Sequence, residues 1–108
     1  MMTYKQRLAL FKTLSFPVYY DHAPIGQTVP FGVLNVEQQN NFAADNVVYF
    51  EAYNAELTCY FEKKDAAKEA EVKKLLNDNE MPFSVSEMYA DDAVTYAETF
   101  EFGFLAGE

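Results

Sequence analysis

Positive charge is missing from the last third of this chain. The 34 residues after Lys74 contain eight carboxylates but no lysine, arginine or histidine. Residues 1–36 hold three basic side chains against one aspartate, a charge of +2, so residues 37–108 carry −11 and the net charge is −9. Because affinity for nucleic acid comes largely from lysine and arginine that neutralise phosphates, we expect no specific nucleic-acid binding.

Cysteine, histidine and glycine are also scarce. The single cysteine, Cys59, excludes an intramolecular disulfide, which is typical of a reducing cytoplasm. It lies in an apolar strand pattern that predicts a buried and unreactive thiol. His22, the only histidine, has Asp21 beside it, but adjacent residues seldom form a catalytic dyad, so we assign it a surface or turn role. With four glycines and no phosphate-binding or nucleophile motif, the sequence predicts a protein that is not an enzyme and uses no cofactor.

Metal-ligand patterns are absent as well. Zinc requires several histidine or cysteine ligands, which the chain lacks. Glu87 with Asp91 and Asp92 offers oxygen ligands to a hard cation, but these residues lack the spacing of a calcium loop. We interpret them as a solvated acidic turn, and we predict no metal site.

Long apolar runs are missing too. No stretch approaches the roughly 18 apolar residues that span a bilayer, and the first residues lack the apolar core of a secretory signal. We therefore expect no membrane partner. Half of the residues are apolar and 17% are aromatic, which is enough for one packed core. A length of 108 residues predicts a single domain, residues 1–108.

The spacing of apolar residues predicts the element order αβββαββ. Helices are expected at residues 3–14, capped by Thr3, and after Asp65, where Ala67, Val72, Leu75 and Leu76 form an apolar stripe. Strands are expected at residues 18–20, 31–36, 47–61, 83–86 and 94–104. Between them we expect a loop at 21–30, a polar connection at 38–46, a bulge near 52–54 and a polar link at 87–92. This order favours an α+β two-layer sandwich with two helices on one face of a mainly antiparallel sheet.

The last predicted strand combines aromatic residues with carboxylates. Val94, Tyr96, Phe100, Phe102 and Phe104 share one face, which we assign to the core. An aromatic platform for single-stranded nucleic acid is the alternative, but such platforms are flanked by basic residues, whereas Glu98 and Glu101 flank this one. We therefore assign these two glutamates to a surface that meets a partner or lines a lumen.

Several segments resemble a known family in their order and spacing. An initial helix is followed by Phe16-Pro-Val-Tyr-Tyr-Asp-His-Ala-Pro24 and Val29-Pro-Phe31, then by residues 41–46, residues 53–65 and a closing Thr-Phe-Glu-Phe at 99–102. In these features the chain is similar to the small tail-terminator and tail-completion proteins of long-tailed bacteriophages and prophages. The resemblance extends over most of the chain, although it includes no catalytic signature.

The resemblance implies a structural virion protein that is assembled in the host bacterial cytoplasm. Such proteins form rings, usually hexameric, which cap the tail tube and offer a docking face to the head connector. The resemblance also implies helices packed against a sheet. Carried onto this chain, it makes the loops at 21–30 and 40–46 candidate contacts with neighbouring subunits or the tube. The interface candidates are Asp21, His22, Pro24, Asn41, Phe42 and Asp45, together with the acidic Glu98 and Glu101.

Two alternatives stay open. One is a head-closure or connector adaptor of the same virion, with which the same sequence features are compatible. An acidic protein-binding module, such as a DNA mimic or an inhibitor, would also account for the charge.

In a ring, one surface of each subunit meets a different surface of the next, so a basic N-terminal helix and an acidic C-terminal half could form complementary faces.

Overall fold

The sheet contains five strands. The computed structural model describes residues 2–44, 47–89 and 95–107, with the backbone alone at residues 39–44, 47–50 and 89. The strands are β1 (Val18–Tyr20), β2 (Phe31–Ala44), β3 (Val47–Phe61), β4 (Phe83–Tyr89) and β5 (Tyr96–Ala106). Their spatial order is β1-β2-β3-β5-β4, and only the β1–β2 pair is parallel. The α+β class and the element order are as predicted.

The first helix begins with a capping box. Helix α1 (Tyr4–Ala9) has Thr3 as its N-cap: the amide of Gln6 donates to Thr3 Oγ1, and the amide of Thr3 donates to Gln6 Oε1. This reciprocal pair satisfies two backbone donors that the helix would otherwise leave free. The predicted helix to residue 14 is too long as an α-helix, because the chain tightens into a 3₁₀ turn at Leu10–Thr13. Such tightening is common in the last turn of a helix.

Both helices pack on the same face of the sheet, which we call the helix face. Phe11 stacks on Phe102 of β5 at a centroid distance of 5.5 Å, and Tyr4 stacks on Tyr53 of β3 at 4.8 Å. Helix α2 (Ala66–Asp78), capped by Asp65, buries Val72 and Leu76 against the same core. The predicted stripe of α2 is wrong at Ala67, which is exposed, since the buried side of the helix begins at Glu69.

Strand alternation decides which side chains reach this core. The helix face holds Ala55, Leu57, Cys59 and Phe61 of β3, together with the predicted core residues Phe100, Phe102 and Phe104 of β5. The opposite side, which we call the open face, holds Asn54, Glu56 and Thr58 of β3 and Glu101 of β5, all at least partly exposed. No helix among the described residues packs on the open face.

Strand β2 is longer than its apolar residues suggested. The predicted polar connection from Gln38 is wrong, since β2 continues to Ala44 in antiparallel register with β3. Polar residues are tolerated in this part of the strand because backbone pairing with β3 does not require apolar side chains. An extra β2 residue lies between Gln38 and Asn41, opposite Glu51–Tyr53. The bulge predicted near residues 52–54 of β3 therefore lies opposite those residues, in β2.

The boundaries of the last two strands also differ. β4 extends to Tyr89, so residues 87–89 belong to a strand instead of the predicted polar link. β5 begins at Tyr96 and ends at Ala106, two residues later than predicted at both ends. Val94, Asp91 and Asp92 lie outside the described residues.

The β2–β3 hairpin extends past the rest of the sheet. β5 pairs with β3 only from Glu51 onward, while the backbone of residues 47–50 pairs with β2 alone. We call residues 41–44 and 47–50 the hairpin tip. The longest dimension of the described chain is 53 Å, against 27 and 21 Å in the other directions.

Candidate functional site

The first interface candidates lie on an exposed turn. Asp21 Oδ2 and His22 Nδ1 are 3.2 Å apart, with side chains 70% and 82% exposed respectively. The amide of His22 donates to Tyr20 O, and Pro24 is exposed as well. The surface location predicted for His22 is confirmed. A side-chain contact this exposed stabilises the fold little, so these groups are available to another molecule.

The second group of candidates belongs to the hairpin tip. The backbone of Phe42 pairs with Phe50 in the two-stranded part of the sheet. That of Asn41 pairs with Glu51, the first residue of β3 that also pairs with β5. Asp45 lies outside the described residues. The structure therefore places Asn41 where the hairpin tip begins and Phe42 within it.

The two glutamates of β5 point to opposite faces. Glu101 is exposed on the open face, whereas Glu98 is 0% exposed. The prediction that Glu98 lies on a surface is wrong. The reason is visible in the sequence: Glu98 alternates with Tyr96 and Phe100, and in a strand residues two apart share a face.

Glu98 belongs to a row of side chains that crosses three strands on the helix face. Cys59 of β3 and Glu87 of β4 pair with Glu98 from either side. Glu69, from the first turn of α2, completes a carboxylate cluster of Glu69, Glu87 and Glu98. One oxygen of each lies within 4.8 Å of the others. Neither oxygen of Glu98 has a hydrogen-bond partner among the described residues.

Two lysines bind the outer members of this carboxylate cluster. Lys73 Nζ lies 2.8 Å from Glu69 Oε1, and the two residues are four apart on one helix, a spacing at which such pairs stabilise it. Lys64 Nζ lies 3.1 Å from Glu87 Oε1. Both ammonium groups are therefore held by Glu69 and Glu87, and Glu98 receives only their longer-range attraction.

The environment changes the acidity of several groups here. Burial, followed by the charges of Glu69 and Glu87, raises the pKa of Glu98 to about 7. A hydrogen bond from Tyr96, followed by one from Lys64, lowers the pKa of Glu87. Burial and the nearby Glu98 raise the pKa of Cys59 to about 12. The predicted burial of Cys59 is confirmed, and a thiol with a raised pKa stays protonated and is a poor nucleophile.

Sequence reasoning missed this carboxylate cluster. Glu69 and Glu87 come from a helix and a strand that have no local relation, and only the fold brings them to Glu98. The alternation of β5 was the one available signal. Of the acidic group considered from the sequence, Glu87 belongs to the carboxylate cluster, and Asp91 and Asp92 lie outside the described residues.

The open face carries an acidic row of its own. Asn35, Glu56, Glu101 and Ser84 are register partners across β2, β3, β5 and β4, which places Glu56 directly opposite Glu101. None of the ion pairs among the described residues includes either glutamate. Like charges directly opposite each other destabilise a sheet. The acidic row is therefore an unfavourable arrangement in the isolated chain.

The basic N-terminal segment is less free than its sequence suggested. Arg7 Nε donates to Leu105 O (3.1 Å), and its Nη1 donates to Asn79 O (3.3 Å). Its guanidinium also lies 5.8 Å from the ring centroid of Phe104. Arg7 thus connects α1 to the sheet, and Lys5 and Lys12 are the exposed cations of this segment.

Comparison with known proteins adds no family to this description. No protein-family model matches the chain, and no curated protein matches it. The resemblance to tail terminators therefore stays a prediction from the sequence. Among the described residues no helix combines the length and apolar character needed to cross a bilayer.

Proposed function

We propose that the protein is a structural subunit of a self-assembling ring, of the type that caps a phage tail tube and joins it to the head. The observation that carries the proposal is the pairing of Glu56 with Glu101 at the centre of the open face. Two carboxylates in this position repel each other, and a cation from another molecule would relieve that repulsion. The open face is therefore suited to contact with a basic surface.

A second copy of the chain offers such a surface. Lys5 and Lys12 are exposed on the first helical segment, which packs on the helix face, on the other side of the sheet from Glu56 and Glu101. Contact between the open face of one copy and the first helical segment of the next is heterologous. Heterologous contacts generate rings when the rotation between copies closes.

The hairpin tip gives the proposal independent support. A two-stranded β-ribbon is at best marginally stable in water by itself. The tip, which includes Asn41 and Phe42, is such a ribbon and would gain stability by packing on a neighbouring subunit or on the tail tube.

A charge exchange tests the contact. We expect Glu101→Lys or Lys12→Glu to raise the concentration for half-assembly about tenfold, the equivalent of roughly 1.4 kcal/mol, and the double variant to restore it. Sedimentation velocity at low salt measures this. Glu62→Lys, which makes the same charge change at another exposed position, is the control. A wild-type chain that stays monomeric at every concentration and salt level would refute the ring, and an equal effect of Glu62→Lys would refute the contact.

The virion role requires a separate experiment. Added to polymerising tail tube subunits, a terminator ring should stop growth at a defined length, whereas a head-closure adaptor should leave tube lengths unchanged. The acidic row also suits a DNA mimic or inhibitor that binds a basic protein. A chain of that kind should remain a monomer or dimer that binds a basic partner, so the sedimentation measurement separates the two functions.

A further inference from the structure

We propose that Glu69, Glu87 and Glu98 bind a divalent cation of the size of Ca²⁺. Such a site lies on the helix face and is independent of the assembly contact, because neither Glu56 nor Glu101 takes part in it. The ligands come from three elements: Glu69 from α2, Glu87 from β4 and Glu98 from β5.

Glu98 is the residue that requires explanation. Its side chain is fully buried and points into the carboxylate cluster, and neither of its oxygens has a hydrogen-bond partner within the part of the chain that the structure describes. Nearly all buried polar side chains in folded proteins have a partner, and buried charges are paired or coordinate metals. A cation between the three carboxylates would supply the missing partner for Glu98.

The distances between the carboxylate oxygens and the number of carboxylates favour an ion of the size of Ca²⁺. Two oxygens on opposite sides of one ion lie twice the metal–oxygen distance apart, which is roughly 4.6–5.2 Å for Ca²⁺ and about 4.0–4.2 Å for Mg²⁺. The oxygens of the carboxylate cluster lie within 4.8 Å of one another. A Ca²⁺ ion therefore fits within this limit, and three carboxylates around one ion suit Ca²⁺ better than Mg²⁺, which usually keeps several waters and binds one or two carboxylates.

The carboxylate cluster can also provide enough ligands. Carboxylates bind Ca²⁺ through one or two oxygens, and Ca²⁺ takes six to eight oxygen ligands. Three bidentate carboxylates would give about six, and water can complete the shell from the side of Glu87, whose side chain is 37% exposed. The same side gives the ion its path from solvent.

Lys64 and Lys73 set the expected affinity. Each ammonium group binds an outer carboxylate, so a cation must displace or repel two positive charges on entry. We therefore expect weak binding, with a dissociation constant of about 10⁻⁴–10⁻³ M, the range of weak calcium modules.

Calorimetric titration of the EDTA-treated full chain with CaCl₂ tests the site. We expect about one ion per chain and, in Glu98→Gln, at least about tenfold weaker binding, since an amide oxygen carries no net charge. Glu80→Gln, which removes an exposed carboxylate outside the carboxylate cluster, is the matched control and should bind as the wild type does. Absence of saturable binding up to concentrations well above the expected constant, or equal binding by Glu98→Gln, would overturn the proposal.

A variant that binds Ca²⁺ more tightly provides a second test, because a gain of affinity cannot result from failure to fold. Lys64→Met removes a competing ammonium group while keeping the length of the side chain, and we expect Ca²⁺ to bind several-fold more tightly. Thermal unfolding in EDTA and in CaCl₂ reports the same change, because an ion that binds only the folded chain raises the melting temperature. Weaker or unchanged binding in Lys64→Met would contradict the site, and equal or tighter binding of MgCl₂ by the wild type would overturn the choice of a Ca²⁺-sized ion.

Discussion

Glu98 and Glu101 lie three residues apart on β5, yet they have opposite environments. Glu98 points to the helix face, where it is fully buried beside Glu69 and Glu87. Glu101 points to the open face, where it is exposed and lies opposite Glu56. On the helix face Glu98 has been taken out of water but has two lysines nearby. On the open face they keep their water but have no ion-pair partner among the described residues.

The excess of negative charge therefore has two separate consequences in this fold. Four ion pairs neutralise carboxylates on or near α2, through Lys64, Lys68, Lys73 and Lys74. Two groups take part in none of these four ion pairs. Glu98 is a buried carboxylate, which is stabilised by a bound cation or a proton, and the acidic row is an exposed surface suited to a basic partner. The two faces can therefore be tested separately, and the following variants do so in order of decreasing effect.

Truncation of an apolar side chain should have its largest effect on the helix face. Phe100 is fully buried, so we expect Phe100→Ala to lower the free energy of unfolding by about 3–5 kcal/mol. Leu105, on the open face of the same strand, is 38% exposed, and we expect Leu105→Ala to cost less than about 1 kcal/mol. Urea unfolding measures both. Similar losses in the two variants would mean that the open face is covered.

The buried carboxylate should make stability depend on pH. The pKa of Glu98 is raised from its ordinary value of 4.5 to about 7, so the folded chain binds a proton that the unfolded chain releases. The resulting stabilisation is complete below about pH 4.5 and is lost as the pH rises through about 7. Because one pKa unit corresponds to about 1.4 kcal/mol, the full loss is about 3 kcal/mol.

Urea unfolding in EDTA between pH 5 and 8 checks this pH dependence by comparing the wild type with Glu98→Gln. The other titratable and charged groups that face Glu98 are the same in both proteins, namely Cys59, Lys64, Glu69, Lys73, Glu87 and Tyr96. The difference between the two proteins isolates Glu98. Parallel pH profiles would show that Glu98 is not the source.

Loss of the hydrogen bonds made by the Arg7 side chain should lower the free energy of unfolding by a smaller amount. Arg7→Met retains much of the apolar stem but loses the hydrogen bonds to the carbonyls of Leu105 and Asn79. We expect a loss of about 1–2 kcal/mol, because hydrogen bonds from a charged donor are stronger than neutral ones. Lys5→Met, at an exposed position of the same helix, should change stability by no more than about 0.5 kcal/mol. Equal losses in thermal unfolding would indicate a general effect of charge removal.

Neutralisation on the open face should have the smallest effect and the opposite sign. Glu56→Gln removes the repulsion with Glu101, so we expect a gain of up to about 0.5 kcal/mol at concentrations where the chain is monomeric. High salt should reduce the gain, since exposed charges are screened. A loss of stability at low salt would show that Glu56 makes a favourable contact within the monomer.

Local patterns predicted much of the fold. The N-cap at Thr3, the helix after Asp65 and the apolar face of β5 depend on residues close in sequence, and each was found where the pattern placed it. The length of β2 could not be predicted in the same way. Its polar second half is a strand because β3 lies beside it and satisfies its backbone, and strand pairing is a long-range interaction that carries no local signal.

The candidate site was less accessible to prediction than the fold. The exposed positions of Asp21, His22, Pro24 and Glu101 agree with the sequence. Glu98 was misplaced because its charge was given more weight than its position in the strand. Glu69 and Glu87 were not associated with it, since they precede Glu98 by 29 and 11 residues in other elements. They meet Glu98 only when α2 packs on the sheet and β4 pairs with β5.

The sequence by itself determined the order of the elements, the residues that share each strand face and the shortage of cations in the acidic half. These properties follow from local periodicity and composition, which need no knowledge of distant partners. Only the tertiary structure decided which face the helices cover, and therefore which glutamates lose their water. Desolvation and the grouping of charges depend on side chains far apart in sequence, so the contrast between Glu98 and Glu101 arose on folding.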